Sequence, residues 1–407
     1  MAELHILQEP GRATPDAIPG RPLWRLGFRP FFLFGAGFGL LGVGLWIAVY
    51  AGWLSPAPER EPLGGWLGWH RHEMPFGFAS AIVAGFLLTA IQNWTSRPSL
   101  HGRPLLGLFA LWLAARLCWL LGVPWQWTLV PELAFFLLLA FAAGRLLWKV
   151  RQSHNYLIPI TLVAMGLADA ETLAGIATGN DAWQYNGALA VVWLIVALMT
   201  MIGGRVIPFF TQRGLGRPQP GTGPLWLDVV LMTAALAAAV FAASGLDVAP
   251  HGPFAVFFAA LAVGHAFRLG CWYDRGIWNV ALLWPLHVAC LWLVVAFAGL
   301  VLYHAGTLPS ASFALHALTV GAMGGLILAM IARVSLGHTG RPLQASQGIT
   351  WAFVLLNLGA LARVFLASWF LLPGLILSTV CWVVAFGLFV AIYTPVLCRA
   401  RADGKPG

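Results

Sequence analysis

"WHRHEMPFGFASAIVAGFLLTAIQNWT", residues 69–95, is the stretch on which the fold turns. From Pro75 to Ile91 it carries no charged side chain. A helix of that kind can cross the roughly 30 Å of hydrocarbon in a bilayer. Yet His70, Arg71, His72, Glu73 and Met74 crowd its entrance, and each can ligate a metal, carry charge or move a proton. Such side chains sit at membrane depth only with partners.

The rest of the chain repeats the apolar pattern. Charged residues are 9% and apolar residues 60% of the sequence, where a soluble domain carries about 25% charged residues. Mean hydropathy is +0.81. Twelve spans emerge, near 29–53, 69–93, 104–122, 125–149, 155–178, 183–207, 223–245, 253–272, 279–303, 309–334, 348–369 and 373–397. The expected fold is all-α, a polytopic bundle of about twelve transmembrane helices in one membrane domain, 29–397, with short segments 1–28 and 398–407 at its ends. Its partner is the lipid bilayer. The net charge of +9 is not a nucleic-acid signal, because basic residues fall between the apolar runs. No C-x-x-C motif joins the five cysteines, which argues against thiol redox chemistry and covalent haem attachment. Residues 1–28 lack a short apolar core before a small-residue cleavage site, so no removable signal peptide is expected.

The loops alternate in charge. Arg12, Arg21 and Arg25 precede the first span, and Arg97, Arg103, Lys149, Arg151, Arg205, Arg213, Arg217, Arg275, Arg333 and Arg341 follow the even-numbered ones. Arg399, Arg401 and Lys405 close the chain. Positive charge stays inside, so both termini are expected in the cytoplasm. "LHGRPLLG" (100–107), "LGRPQPG" (215–221) and "HTGRPLQ" (338–344) recur every four spans. Three four-helix units are one reading; a convenient helix break is the other.

Orientation gives each buried polar residue a depth. Counted along helices, Arg116, Glu132, Asp169, Glu171, His316 and Arg363 lie about 8–15 Å inside the outer surface, with His72 and Glu73 one turn inside. Arg116 and Glu132 match in depth and are the expected ion pair. Glu73, Glu132, Asp169 and Glu171 are candidate proton carriers, with Arg116 among them. A second layer, Asp228, His265, Arg268 and His287, lies about 6–12 Å from the inner surface. His265 and His287 sit on consecutive helices at similar depth, as the axial ligands of a b-type haem must. His70, His72 and Met74 at the outer entrance suit copper, because imidazole and thioether are its ligands, and His316 is the expected third histidine. On the tenth span His316, Met323 and Met330 share one face. Each of these also has a plain structural alternative: helix-pairing salt bridges, hydrogen-bonded bundle histidines, a packing stripe of methionines, and helix-end capping by His338. Trp53, Trp69, Trp94, Trp183 and Trp226 read as an interfacial aromatic belt.

Several of these stretches resemble one bacterial family. "LWRLGFRPFFLFG" (23–35), "WHRHEMPFGFASAIVAGFLLTAIQNWT" (69–95), "GHAFRLGCW" (264–272), "LLWPLHVACLW" (282–292) and "ALHALTVGAMGGLILAMIARVSLGHTGRPL" (314–343) are similar to the NnrS proteins. The resemblance implies an inner-membrane protein of twelve helices that contains haem and copper. It also implies a role in nitric oxide metabolism, denitrification and defence against nitrosative stress. The family's histidine positions fall on His70, His72, His265, His287, His316 and His338; their division between the metals rests on depth alone. Pro75 stands where the family more usually has Leu, an expected disturbance of the helix entrance.

Three functions compete. The first binds or reduces nitric oxide at a metal, with electrons from quinol or another donor. The second is a transporter of copper or a small solute along a His/Met-lined route, which twelve spans would suit. The third, a haem-copper oxidase relative, lacks an adjacent His-His pair.

Overall fold

The computed structural model describes residues 21–217 and 223–405. Arg12, most of the N-terminal segment and residues 218–221 of the second G-R-P stretch lie outside the described residues. Among the described residues there is no strand, and twelve helices are long and apolar enough to span a membrane. They are α1 (Phe28–Tyr50), α2 (Pro58–Thr95), α3 (Gly102–Leu120), α4 (Trp125–Lys149), α5 (Ser153–Thr178), α6 (Asp181–Leu215), α7 (Leu225–Ala243), α8 (Gly252–Trp272), α9 (Trp284–His304), α10 (Ser312–His338), α11 (Gln347–Trp369) and α12 (Leu371–Cys398). Hydroxyls within them bond back to carbonyls four residues earlier, as Thr89 does to Gly85 at 2.8 Å. This satisfies the hydroxyls concerned at membrane depth.

Three helices form the centre. The apolar windows of α2, α6 and α10 are 83%, 89% and 67% buried, against 22–50% for the other nine. The central helices are thus the second, sixth and tenth. The glycine of the G-R-P sequence beyond each, Gly102, Gly216 and Gly340, takes φ of +59°, +61° and +67°. That left-handed turn is available to glycine without strain. The first and last spans meet on the Arg-rich side: Arg29 Nη1 donates to the carbonyls of Leu397 and Arg399, both at 2.7 Å. A cationic cap of this kind satisfies the open carbonyls at the end of α12.

α2, α10 and α11 each contain a wide π-helical segment: Glu73–Ala79, Ala317–Gly324 and Ala362–Leu366. Pro75 has no N–H for the α-helical ladder, and its carbonyl accepts instead from Ser80 Oγ at 2.9 Å. Gly321 and Gly324 lie flat under Trp292 and Trp382, where a side chain would collide. Such segments concentrate at functional sites. Trp69, read as part of the interfacial belt, is instead 1% exposed. It packs with Trp119 and Leu173 on the inward side of α2.

Candidate functional site

The polar entrance of α2 divides between two centres. His70 and His72 are two residues apart, about 200° around a helix, and so leave it on opposite sides.

His72 turns into a buried cluster of charge. Its Nδ1 lies 3.0 Å from Glu73 Oε1 and its Nε2 2.9 Å from Asp169 Oδ1. Arg116 Nη1 donates to Glu73 at 2.6 Å and Nη2 to Glu132. All five side chains are at most 3% exposed. Trp119 stacks on the imidazole at 3.6 Å between centroids. One guanidinium faces three carboxylates, and carboxylate oxygens only accept. The cluster therefore holds protons, on the ring or on a carboxyl group. Donor atoms of His72, Glu73 and Glu132 lie within 4.8 Å of one another, a spacing that could hold a metal ion. The Arg116 guanidinium already bonds both glutamates, so the cation position is taken. Arg116 and Glu132, matched by depth in the sequence, are bonded here; Asp169 joins them. Glu171 does not: two residues beyond Asp169, it lies on another side of α5 and has no ion pair among the described residues.

His70 turns the other way, into a cavity of about 190 Å³ walled by α1, α2, α6, α10, α11 and α12. His316, Met74, Met323, Arg71 and Arg363 line the same space. His70 stacks on Trp46 at 4.2 Å, and its Nδ1 is buried without a hydrogen-bond partner. His316 Nδ1 lies 2.7 Å from the Ser312 carbonyl and must donate to it. Its Nε2 therefore bears the lone pair, which Arg363 Nη2 meets at 3.1 Å. No carboxylate lines the cavity. The His72 expected beside His70 is absent from the lining, as is His338. His338 lies 22 positions beyond His316 on α10, about 33 Å along the axis, and lines a crevice on the Arg-rich side.

The second layer is present but divided. Arg268 Nη1 bonds Asp228 Oδ1 at 3.1 Å, and Nη2 donates to His265 Nδ1 at 3.2 Å. His265 Nε2 then carries the ring proton and is buried without a partner. His287 has the opposite arrangement. Its Nδ1 donates to the Leu283 carbonyl at 3.2 Å. Its Nε2 lies 3.5 Å from Thr211 Oγ1, a hydroxyl already directed to the Ile207 carbonyl, and the ring is also engaged by the backbone of Trp272. Among the described residues no hydrogen bond or ring stacking joins the two imidazoles. Met323, a cofactor-binding candidate on the tenth span, lines the His70 cavity with His316.

Two further spaces continue along α2, α6 and α10. A mid-membrane cavity of about 80 Å³ shares Met323 with the first, and a crevice of about 470 Å³ shares Phe86 and Val206 with the second. Trp46 and Trp119, which stack on His70 and His72, carry no signal in the sequence; Ser312 does, four residues before His316 on one helix face.

The family model described as NnrS protein matches residues 22–401, nearly the whole chain. The comparison with curated proteins found no match.

Proposed function

The chain belongs to the NnrS protein family, and from that premise we propose that it binds nitric oxide at a copper ion held by His70 and His316. One observation carries the reading. Two imidazoles from different helices offer ring nitrogens to one cavity, one without a partner and one with its far nitrogen anchored on a carbonyl. An anchored Nδ1–H is the usual support of a metal-bound imidazole. The thioethers of Met74 and Met323 complete a soft donor set, which favours copper over hard cations. The positive charge of Arg363 favours the monovalent ion.

Copper would supply a redox-active site for a diatomic ligand. The protein supplies the rest. Arg71 and Arg363 favour negative charge developing in the cavity, and Val43, Leu189 and Val192 limit water. Across α2, the His72 cluster stores protons. Reduction of two NO to N2O and water takes two electrons and two protons; the electrons would come from quinol or another donor. Haem b, which the family implies, would draw on His287, whose Nδ1 is anchored on the Leu283 carbonyl, whereas His265 accepts from Arg268 through the nitrogen that anchoring would need. The protein is a multi-pass membrane protein; in this reading the membrane is the bacterial inner one, with the Arg-rich side cytoplasmic. Transport of a hydrophilic solute is disfavoured by the mid-membrane cavity, whose lining has no hydrogen-bonding or charged side chain.

The test is an optical and metal analysis of protein purified in detergent from a copper- and haem-replete host, before and after NO. Copper together with an NO-dependent spectral change is expected. A metal-free, colourless and folded protein would overturn the reading.

A further inference from the structure

We propose that the mid-membrane cavity between α2, α6 and α10 is a binding pocket for small apolar gas molecules, and that it supplies the His70/His316 cavity. The supply half rests on the function proposed above; the gas-binding half does not.

Every residue around this space is aliphatic, Phe, Met or Gly. Its volume of about 80 Å³ is roughly half that of the ~150 Å³ apolar cavity that stays dry yet admits benzene or xenon. A buried water needs two to four polar partners, and none of these side chains offers one. Hydrated ions and protons are excluded on the same ground. A small apolar gas, already soluble in the bilayer, is the class of ligand that gains by entering.

The position of the pocket gives it a destination. Met323 forms part of its wall and part of the wall of the His70/His316 cavity. An unbranched thioether side chain changes rotamer readily, so Met323 is a natural gate between the two. At the other end Phe86 and Val206 separate the pocket from the crevice that holds Arg205 and His338. Packing does not require the emptiness. A Cβ on Gly203, which lines the pocket, would meet nothing closer than Ile207 Cδ1 at 3.4 Å, an ordinary contact.

Xenon is the probe. Crystals or detergent-solubilised protein under xenon pressure should place xenon beside Ile202, Met323 and Met330, by anomalous diffraction or xenon NMR. Gly203→Leu, and independently Ile202→Phe, should exclude it and slow NO association with the copper-loaded protein several-fold, leaving copper content unchanged. A wild-type pocket filled by water, or empty of xenon under pressure, overturns gas binding. Variants that exclude xenon but bind NO at the wild-type rate overturn supply. A wild-type protein that binds xenon there but never binds NO defeats the proposed function and the supply route together, and leaves the pocket established.

Discussion

His70 and His72, two residues apart on α2, stand in two separate polar centres. His70 borders the 190 Å³ cavity with His316, whereas His72 is held between Glu73 and Asp169. The wall between them is α2 itself, whose π-helical segment begins at Glu73. One centre is poor in carboxylates and rich in soft donors; the other is the reverse. The predictions below follow from that separation.

Among the described residues Arg116 is the only guanidinium bonded to the carboxylate cluster. Removing one partner of a buried ion pair costs about 3–5 kcal/mol, because the remaining charges stay buried. Arg116→Met should therefore lower the thermal unfolding midpoint in detergent sharply, while Glu132→Gln, which keeps a hydrogen-bonding group, lowers it less. Equal and small effects of the two would contradict the cluster as described.

Gly77 admits no side chain. A Cβ there would approach Phe38 at 2.7 Å and both Arg116 Nη1 and Glu73 Oε2 at 2.8 Å. Gly77→Ala should destabilise by about 1–3 kcal/mol, the usual range for overpacking. Gly37→Ala on α1, with nothing within 4 Å, should be neutral or stabilising by up to about 1 kcal/mol, through helix propensity alone. Chemical unfolding of the pair side by side decides it.

Much of this was legible in advance, and the reason is geometric. Depth follows from counting residues between charged loops, so Arg116 and Glu132 could be matched across two helices. Azimuth does not follow. In α2 and α10 the π-helical turns change the number of residues per turn beside His72 and His316. Facing directions read from an ideal helix are therefore lost beyond them. Pro75 and the glycines near Met323 were visible signals of irregularity, but not of which way each histidine would turn. The preference of Nδ1 for a carbonyl or a guanidinium, which separates His287 from His265, is set by neighbours that only the fold supplies.

Arg363 places a fixed positive charge against His316 Nε2. Arg363→Gln should tighten copper(I) binding about tenfold, equivalent to about 1.4 kcal/mol, as measured by competition with a coloured chelator. Weaker binding in the variant would mean that Arg363 organises the ligands rather than opposing the ion.

Asp247, in the loop between α7 and α8, is 7% exposed, and its Oδ1 has no hydrogen-bond partner. Burial raises its pKa from the usual 3.8 to about 6. A folded value above the unfolded one makes the acid form the stabilising one. That contribution is complete below about pH 3.8 and is lost as pH rises through about 6. Asp247→Asn should therefore stabilise the protein by about 3 kcal/mol at pH 7.5 and leave it little changed at pH 4. Unfolding midpoints of both proteins at the two pH values test the sign; a larger gain at pH 4 would reverse it.

The most direct measurement is copper content across three single variants, His70→Ala, His316→Ala and His72→Ala, purified alike and checked for folding. Loss of copper from the first two with retention in the third is predicted. Copper lost from His72→Ala but kept by His70→Ala would contradict the assignment of the metal to the His70/His316 cavity.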